Sequence, residues 1–239
     1  MLKDTLKRFI KLSPIALTKN HRYDKQTKKI IDELADGSNS IDVGCYKGEI
    51  LDLILKRSPN GQHFGIEALP GMAKDLMLKY EGRANVEILN FAASDAVGEI
   101  SYNYVVSNPS YSGMLKREYD KPDEKDKTIQ VQARRLDGQI PKDIQIDIIK
   151  IDVEGAEFQV LSGAEEIVRR NKPLVVFEHG LGASNIYETT PKMIWEYFDD
   201  MEMKISNLGS YLKRGHSLSL EDFRGQYEEG KNHYFIAHT

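Results

Sequence analysis

Residues 41–48 read Ile41-Asp42-Val43-Gly44-Cys45-Tyr46-Lys47-Gly48, and this stretch decides the fold. Asn39–Val43 is a short apolar strand and Gly44–Gly48 a turn. Glu49–Lys56 follows as a helix, with Ile50, Leu51, Leu53, Ile54 and Leu55 to bury. A strand that breaks on glycine and enters a helix opens a βαβ unit, and the ligand crevice of such a sheet lies at the carboxyl ends of its strands. Glycine at that turn lets backbone approach a ligand with no Cβ in the way. The Gly44–Gly48 spacing is looser than the G-x-G-x-x-G turn that cradles a pyrophosphate. Asp42, ahead of the first glycine, suits a cationic amino group, whereas a dinucleotide brings a dianion to that turn.

Working outward, Thr27–Ala35 reads as a helix stopped near Gly37. Gln62–Glu67 is a second strand, Gly71–Tyr80 a second helix with Pro70 near its start, and Val86–Asn90 a third strand. Asp147–Val153 is a fourth core strand, Ala156–Arg169 a helix, Leu174–Glu178 a fifth strand and Pro191–Asp200 a helix. Met203–Leu208 and His233–His238 make a final antiparallel pair. This order predicts an α/β doubly wound, mostly parallel sheet with right-handed crossovers. Glu99–Val106 and Thr128–Arg134 are further strands. Between them Ser107–Lys127, with Pro109, Gly113 and Pro122, is a long polar loop: a lid over the site, or a surface insertion. One domain, residues 27–239, accounts for the pattern, with no internal repeat.

Residues 1–26 stand apart. Leu2, Leu6, Phe9 and Ile10 recur at helical spacing with Lys3, Lys7, Arg8 and Lys11 between them. A basic amphipathic helix over residues 1–12 suits weak contact with a membrane surface or a partner. The same periodicity suits a helix packed on the domain and ending before Pro14.

The formal net charge of −4 argues against a nucleic-acid partner, because phosphate contacts need a basic face. The lone cysteine, Cys45, cannot form an internal disulfide. No apolar run approaches the roughly 18–20 residues that span a bilayer, and Lys7, Arg8 and Lys11 interrupt any leader-like stretch. The expected location is the cytoplasm.

Four places carry chemistry. The first is the Gly44 turn. The second is Glu67, at the end of the second strand, where an acid accepts both ribose hydroxyls of a nucleoside cofactor. A solvated strand-end carboxylate is the plainer reading. The third is Asn90-Phe91-Ala92-Ala93-Ser94-Asp95, where Ala92 and Ala93 leave room for a flat adenine ring; an ordinary turn looks similar. The fourth is Lys150-Ile151-Asp152-Val153-Glu154-Gly155-Ala156-Glu157, four charges crowded at the end of a central strand. A buried charge needs a partner, so Lys150 pairs with an acid while Asp152 and Glu154 face the site; a purely structural ion cluster is the alternative.

The chain resembles the FkbM family of methyltransferases. The stretches that carry the resemblance are IDVGCYKG, the Glu67 strand end, NFAASD, RRLDG, KIDVEGAEFQVLSGAEE and PLVVFEH, in that order across about residues 38–180. The resemblance implies a class I methyltransferase (Rossmann-like) fold on a seven-stranded sheet, with S-adenosylmethionine as cofactor. It also implies O-methylation of a hydroxyl on a sugar, glycan or other small natural-product acceptor. Asp42, Gly44, Cys45, Tyr46, Gly48, Glu67, Ala68, Ala92, Ala93 and Asp152 then become the cofactor-binding set. Cys45 and Tyr46 stand where the family has Ala and Asn, and Ala68 where it has Pro.

His179 follows the fifth strand and supplies a proton acceptor with a suitable reference pKa, or is simply a hydrogen-bonded surface group. The expected catalytic set is His179, Asp152 and Glu154. A magnesium site built on Asp152 with Glu178 or His179 is the rival route, but no dense carboxylate cluster marks one and no metal is assigned. Two other functions compete: an NAD-dependent oxidoreductase, and a catalytically silent partner-binding protein on the same fold.

Overall fold

The computed structural model describes residues 18–119 and 123–239. Helix α1 (Lys19–Asp32) leads into strand β1 (Ser40–Val43) and helix α2 (Glu49–Arg57). Strand β2 (His63–Ile66), helix α3 (Pro70–Lys79) and strand β3 (Val86–Leu89) follow. The middle holds β4 (Ala92–Ala93), β5 (Gly98–Val105) and β6 (Asp126–Arg134). Then come β7 (Ile148–Ile151), α4 (Glu157–Gly163), α5 (Glu165–Asn171) and β8 (Leu174–Glu178). The chain ends with α6 (Pro191–Asp199), β9 (Lys204–Asn207), α7 (Leu208–Leu212), α8 (Leu220–Glu228) and β10 (Tyr234–His238).

Seven strands form one sheet in the order β3-β2-β1-β7-β8-β10-β9, and β10 alone runs against its neighbours. The order reverses between β1 and β7, which opens the crevice above their carboxyl ends. The central strands are buried on both faces, so they read as apolar runs. Alternation still sorts their side chains. In β7, Ile149 and Ile151 join the core beneath α4, α5 and α6 with Val160, Val168 and Phe198. Ile148 joins Ile30, Ile31 and Ile54 of α1 and α2 on the opposite face, together with Val176 and Ile236. Lys150, Glu178 and Tyr234 lie two residues from Ile148, Val176 and Ile236, and therefore belong to the α1 face.

The structure departs from the sequence reading in three places. The helix expected over Thr27–Ala35 begins at Lys19, because the Thr18 hydroxyl accepts the His21 N–H and caps it. The boundary drawn at residue 26 thus falls inside α1, which buries Tyr23, Thr27, Ile30 and Ile31 at helical spacing. The basic residues 1–12 lie outside the described residues. The helix expected over Ala156–Arg169 is two helices meeting at Ala164. Gly163 packs so closely that a Cβ would lie 2.1 Å from the Ser94 carbonyl oxygen. Last, β4, β5 and β6 form a separate small sheet, in which β5 and β6 are antiparallel and the Ala92–Ala93 stretch adds a parallel edge. Among the described residues no helix is long and apolar enough to cross a membrane.

Candidate active site

Two clefts open at the carboxyl edge of the sheet and meet at Gly44, Tyr46 and Asp152. The first, with about 590 Å³ of empty space, is walled by Glu67, Ala68, Ala92, Ala93 and Tyr102, and by Pro109, Ser110, Ser112 and Met114 of the loop after β5. The second, about 660 Å³, lies under α1 and is walled by Tyr23, Thr27, Asp42, Cys45, Lys150 and Tyr234.

Gly44 forms the wall between them. It has φ 79°, and a Cβ there would lie 2.0 Å from the Asp152 carbonyl oxygen. The glycine therefore serves the packing of β1 on β7 as much as the approach of a ligand. Tyr46 takes φ 50° in the same turn, and its N–H donates to Glu67 Oε2 at 2.9 Å. Glu67 Oε1 accepts the Leu69 N–H at 2.9 Å. Burial pushes the Glu67 carboxyl up, against the pull of these two backbone donors. A carboxylate offers about four acceptor positions, so these donors, with the Ala68 backbone beside them, leave it room for a ligand.

Asp42 sits opposite Lys150 in the β1–β7 register and is 2% exposed. Burial raises its carboxyl to about 6, opposed by the Lys150 charge. Its Oδ2 has no hydrogen-bond partner among the described residues. An orphaned buried carboxylate oxygen beside a cleft fits a cationic amino group.

Asp152 lies where the clefts meet. Its Oδ2 accepts the Tyr234 hydroxyl at 2.6 Å and the Lys150 ammonium at 3.0 Å. Burial would raise its pKa, but the Lys150 charge and hydrogen bonds from Tyr234, Lys150 and Glu178 hold it below the ordinary carboxylate value. Glu178 moves the other way: burial first, then the charges of Asp152, Glu157 and Glu154, push it well up. Glu157, raised to about 7 by burial, accepts the Val153 and Gly155 N–H groups and shapes the turn after β7.

The family model for the methyltransferase FkbM domain matches residues 42–212. The chain belongs to the FkbM methyltransferase family. A similar solved structure is the methyltransferase FkbM from Methylobacillus flagellatus KT, at TM-score 0.54 and 15% identity over 87% of this chain. This chain spans only 44% of the length of that protein. Others are a SAM-dependent methyltransferase from Aquifex aeolicus (TM-score 0.44, 14% identity, 89% of this chain and 88% of that one) and Aeropyrum pernix fibrillarin with natively bound S-adenosyl-L-methionine (0.43, 14%, 90% and 74%). No curated protein sequence matches the chain.

The fold is thus that of a class I methyltransferase. Family membership sets aside the oxidoreductase reading. In this FkbM domain, Gly44, Tyr46, Glu67, Ala68, Ala92, Ala93 and Asp152 line the first cleft, while Asp42 and Cys45 line the second. Gly48 lines neither: it caps α2 at φ 73°. Glu154 lines the first cleft but is already paired, 2.9 Å from Arg117, whose guanidinium stacks on Tyr111. Through this pair, and a 2.9 Å bond from the Leu115 N–H to the Tyr187 hydroxyl, residues 107–119 fold over the first cleft.

His179 is not brought to either cleft. It is 1% exposed, stacked between Tyr227 at 4.6 Å and Phe223 at 5.6 Å, and burial lowers its pKa to about 4. Neither ring nitrogen has a partner among the described residues. Nor, among those residues, does any group of three or more His, Cys, Asp or Glu converge as a metal site. Sequence reasoning missed Tyr234 and the α1 wall. The parity of the His233–His238 strand carried the first signal, and the spacing of Tyr23, Thr27 and Ile31 the second.

Proposed function

We propose that this chain O-methylates a hydroxyl of a sugar, glycan or other small natural-product acceptor, with Asp152 receiving the acceptor's proton. The observation that carries the reading is the position of Asp152: it borders both clefts, and its side chain keeps 35% of its surface open. S-adenosylmethionine, when bound, would supply an activated methyl on a sulfonium. The chain has to align acceptor and donor and give the proton a destination. Glu67 would hold the ribose hydroxyls, Ala92 and Ala93 would flank the adenine, and Asp42 would face the amino group. Asp152 stays anionic at neutral pH and can accept a proton as the hydroxyl becomes acidic during transfer. His179, walled off by aromatic rings, supports this role less well. The hydrogen bonds that already occupy Asp152 weigh against a magnesium route through it.

The test is a lysate fed methyl-labelled S-adenosylmethionine, with labelled products found by mass spectrometry. Wild type is expected to label a hydroxylated small molecule or glycan, and Asp152→Asn to label it about 10²-fold more slowly or worse. Label on nitrogen or carbon, or an undiminished rate in Asp152→Asn, would refute the reading. So would activity abolished by EDTA and restored by Mg²⁺.

A further inference from the structure

Alternation along the strands puts Lys150, Glu178 and Tyr234 on the α1 face of the sheet. The register sets Tyr234 opposite Glu178 and Asp42 opposite Lys150. Asp152, just beyond β7, meets this group with a single oxygen. Oδ2 takes both the Tyr234 hydroxyl, at 2.6 Å, and the Lys150 ammonium, at 3.0 Å. An O–H···O⁻ bond of that length is charge-assisted. The two donors also brace each other, because the ammonium lies 5.0 Å from the centre of the Tyr234 ring. The ring is held in turn by Tyr23 of α1, at 5.1 Å.

Tyr234 keeps its proton. Burial, and then the charges of Asp152 and Glu178, push its hydroxyl far above the ordinary phenol range, so it acts on Asp152 only as a donor. Tyr234 and Lys150 both take Oδ2 and leave the other oxygen, Oδ1, as the position for an acceptor's hydroxyl. An acid free to swing would present that position at random, and a misplacement of about 1 Å can cost about 10²-fold in rate.

We propose that Tyr234 and Lys150 are positioning residues, which fix the Asp152 carboxylate as an aligned anion with one position left for the acceptor's hydroxyl. This rests on the reading of Asp152 as the proton acceptor. In the step so arranged, the acceptor oxygen forms a bond to the methyl carbon. The carbon–sulfur bond breaks with its electron pair going to sulfur, and the hydroxyl proton passes to Asp152.

Tyr234→Phe removes the hydroxyl and keeps the ring, and is the variant of choice; Lys150→Met is the second. Two readouts are combined. The first is the titration of the Asp152 carboxyl by carbon-13 NMR, which needs no acceptor. Loss of a donor to the charged form raises its pKa, so the midpoint is expected to rise by about one unit in Tyr234→Phe and further in Lys150→Met. The second is label transfer from S-adenosylmethionine in the lysate, expected to fall about tenfold or more in Tyr234→Phe, while calorimetric affinity for S-adenosylhomocysteine stays within about threefold. An unmoved Asp152 midpoint overturns the proposal. So does a rate loss matched by an equal loss of S-adenosylhomocysteine affinity, which would make Tyr234 a cofactor-binding group. If wild type transfers no label, the proposed function fails, and the titration still decides whether Tyr234 and Lys150 hold Asp152.

Discussion

Glu67 and Asp152 are both acids at the carboxyl ends of parallel strands, yet they are held in opposite ways. Glu67 is tied by backbone: the N–H groups of Tyr46 and Leu69, 21 and 2 residues away in sequence. Asp152 is tied by side chains, one of them 82 residues further along the chain. Glu67 is pushed up by burial, whereas Asp152 is held down by an ammonium and a phenol. Backbone donors come with the turn and suit a carboxylate that must stay put and bind. Side-chain donors can be tuned one at a time, and suit a carboxylate whose charge takes part in the chemistry.

The two corners share the Gly44 wall, and breaking it should have the largest effect. Gly44→Ala puts a methyl 2.0 Å from a backbone oxygen at φ 79°. Urea unfolding is expected to show a loss of more than about 4 kcal/mol, or no folded protein. A loss below about 1 kcal/mol would mean that β1 and β7 can separate, and that the corners are not rigidly joined.

A smaller effect concerns pH. His179 has its pKa lowered from 6.5 to about 4, so between those values the unfolded chain binds a proton that the folded chain does not. Stability from this residue is intact above pH 6.5 and falls as pH drops toward 4. Between pH 7 and pH 5 the loss is about 2 kcal/mol. Asp42 and Glu157, raised to about 6 and about 7, act the other way, because their folded carboxyls hold protons that the unfolded chain releases. Comparing His179→Leu with wild type isolates the histidine: the variant should lose about 2 kcal/mol less over that range. Parallel pH curves would place the acid sensitivity in the Asp152 corner instead.

The smallest effect sharpens the loop that covers the Glu67 side. Arg117 and Glu154 are each about four-fifths buried, at 19% and 18% side-chain exposure. Arg117→Ala is expected to cost about 1 kcal/mol in thermal unfolding, with the difference narrowing in high salt. No change would mean that the Arg117–Glu154 pair does not help to hold residues 107–119 over the cleft.

The same contrast explains what was legible in the sequence. The Gly44 turn, the strand ending at Glu67 and the KIDVEG stretch are local, and each could be read from its own neighbours. The mostly parallel sheet followed from the order of strands and helices, and its seven strands from the resemblance to the family. The Tyr234–Asp152 bond depends on β10 inserting between β8 and β9, which no local pattern announces. His179 was misplaced for a related reason: its strand end was readable, but α8, which supplies Phe223 and Tyr227, was not. Helix α1 began early because Thr18 caps a polar stretch whose buried positions are widely spaced.

The central claim is that the Glu67 cleft holds the nucleoside of the methyl donor. Calorimetric titration tests it most directly, with S-adenosylhomocysteine and NADH added separately to wild type and to Glu67→Ala. Saturable binding of S-adenosylhomocysteine alone is expected, weakened about tenfold or more in Glu67→Ala, as the loss of charged hydrogen bonds worth roughly 1.5–3 kcal/mol each requires. Preferential binding of NADH, or an affinity for S-adenosylhomocysteine that Glu67→Ala leaves unchanged, would contradict it.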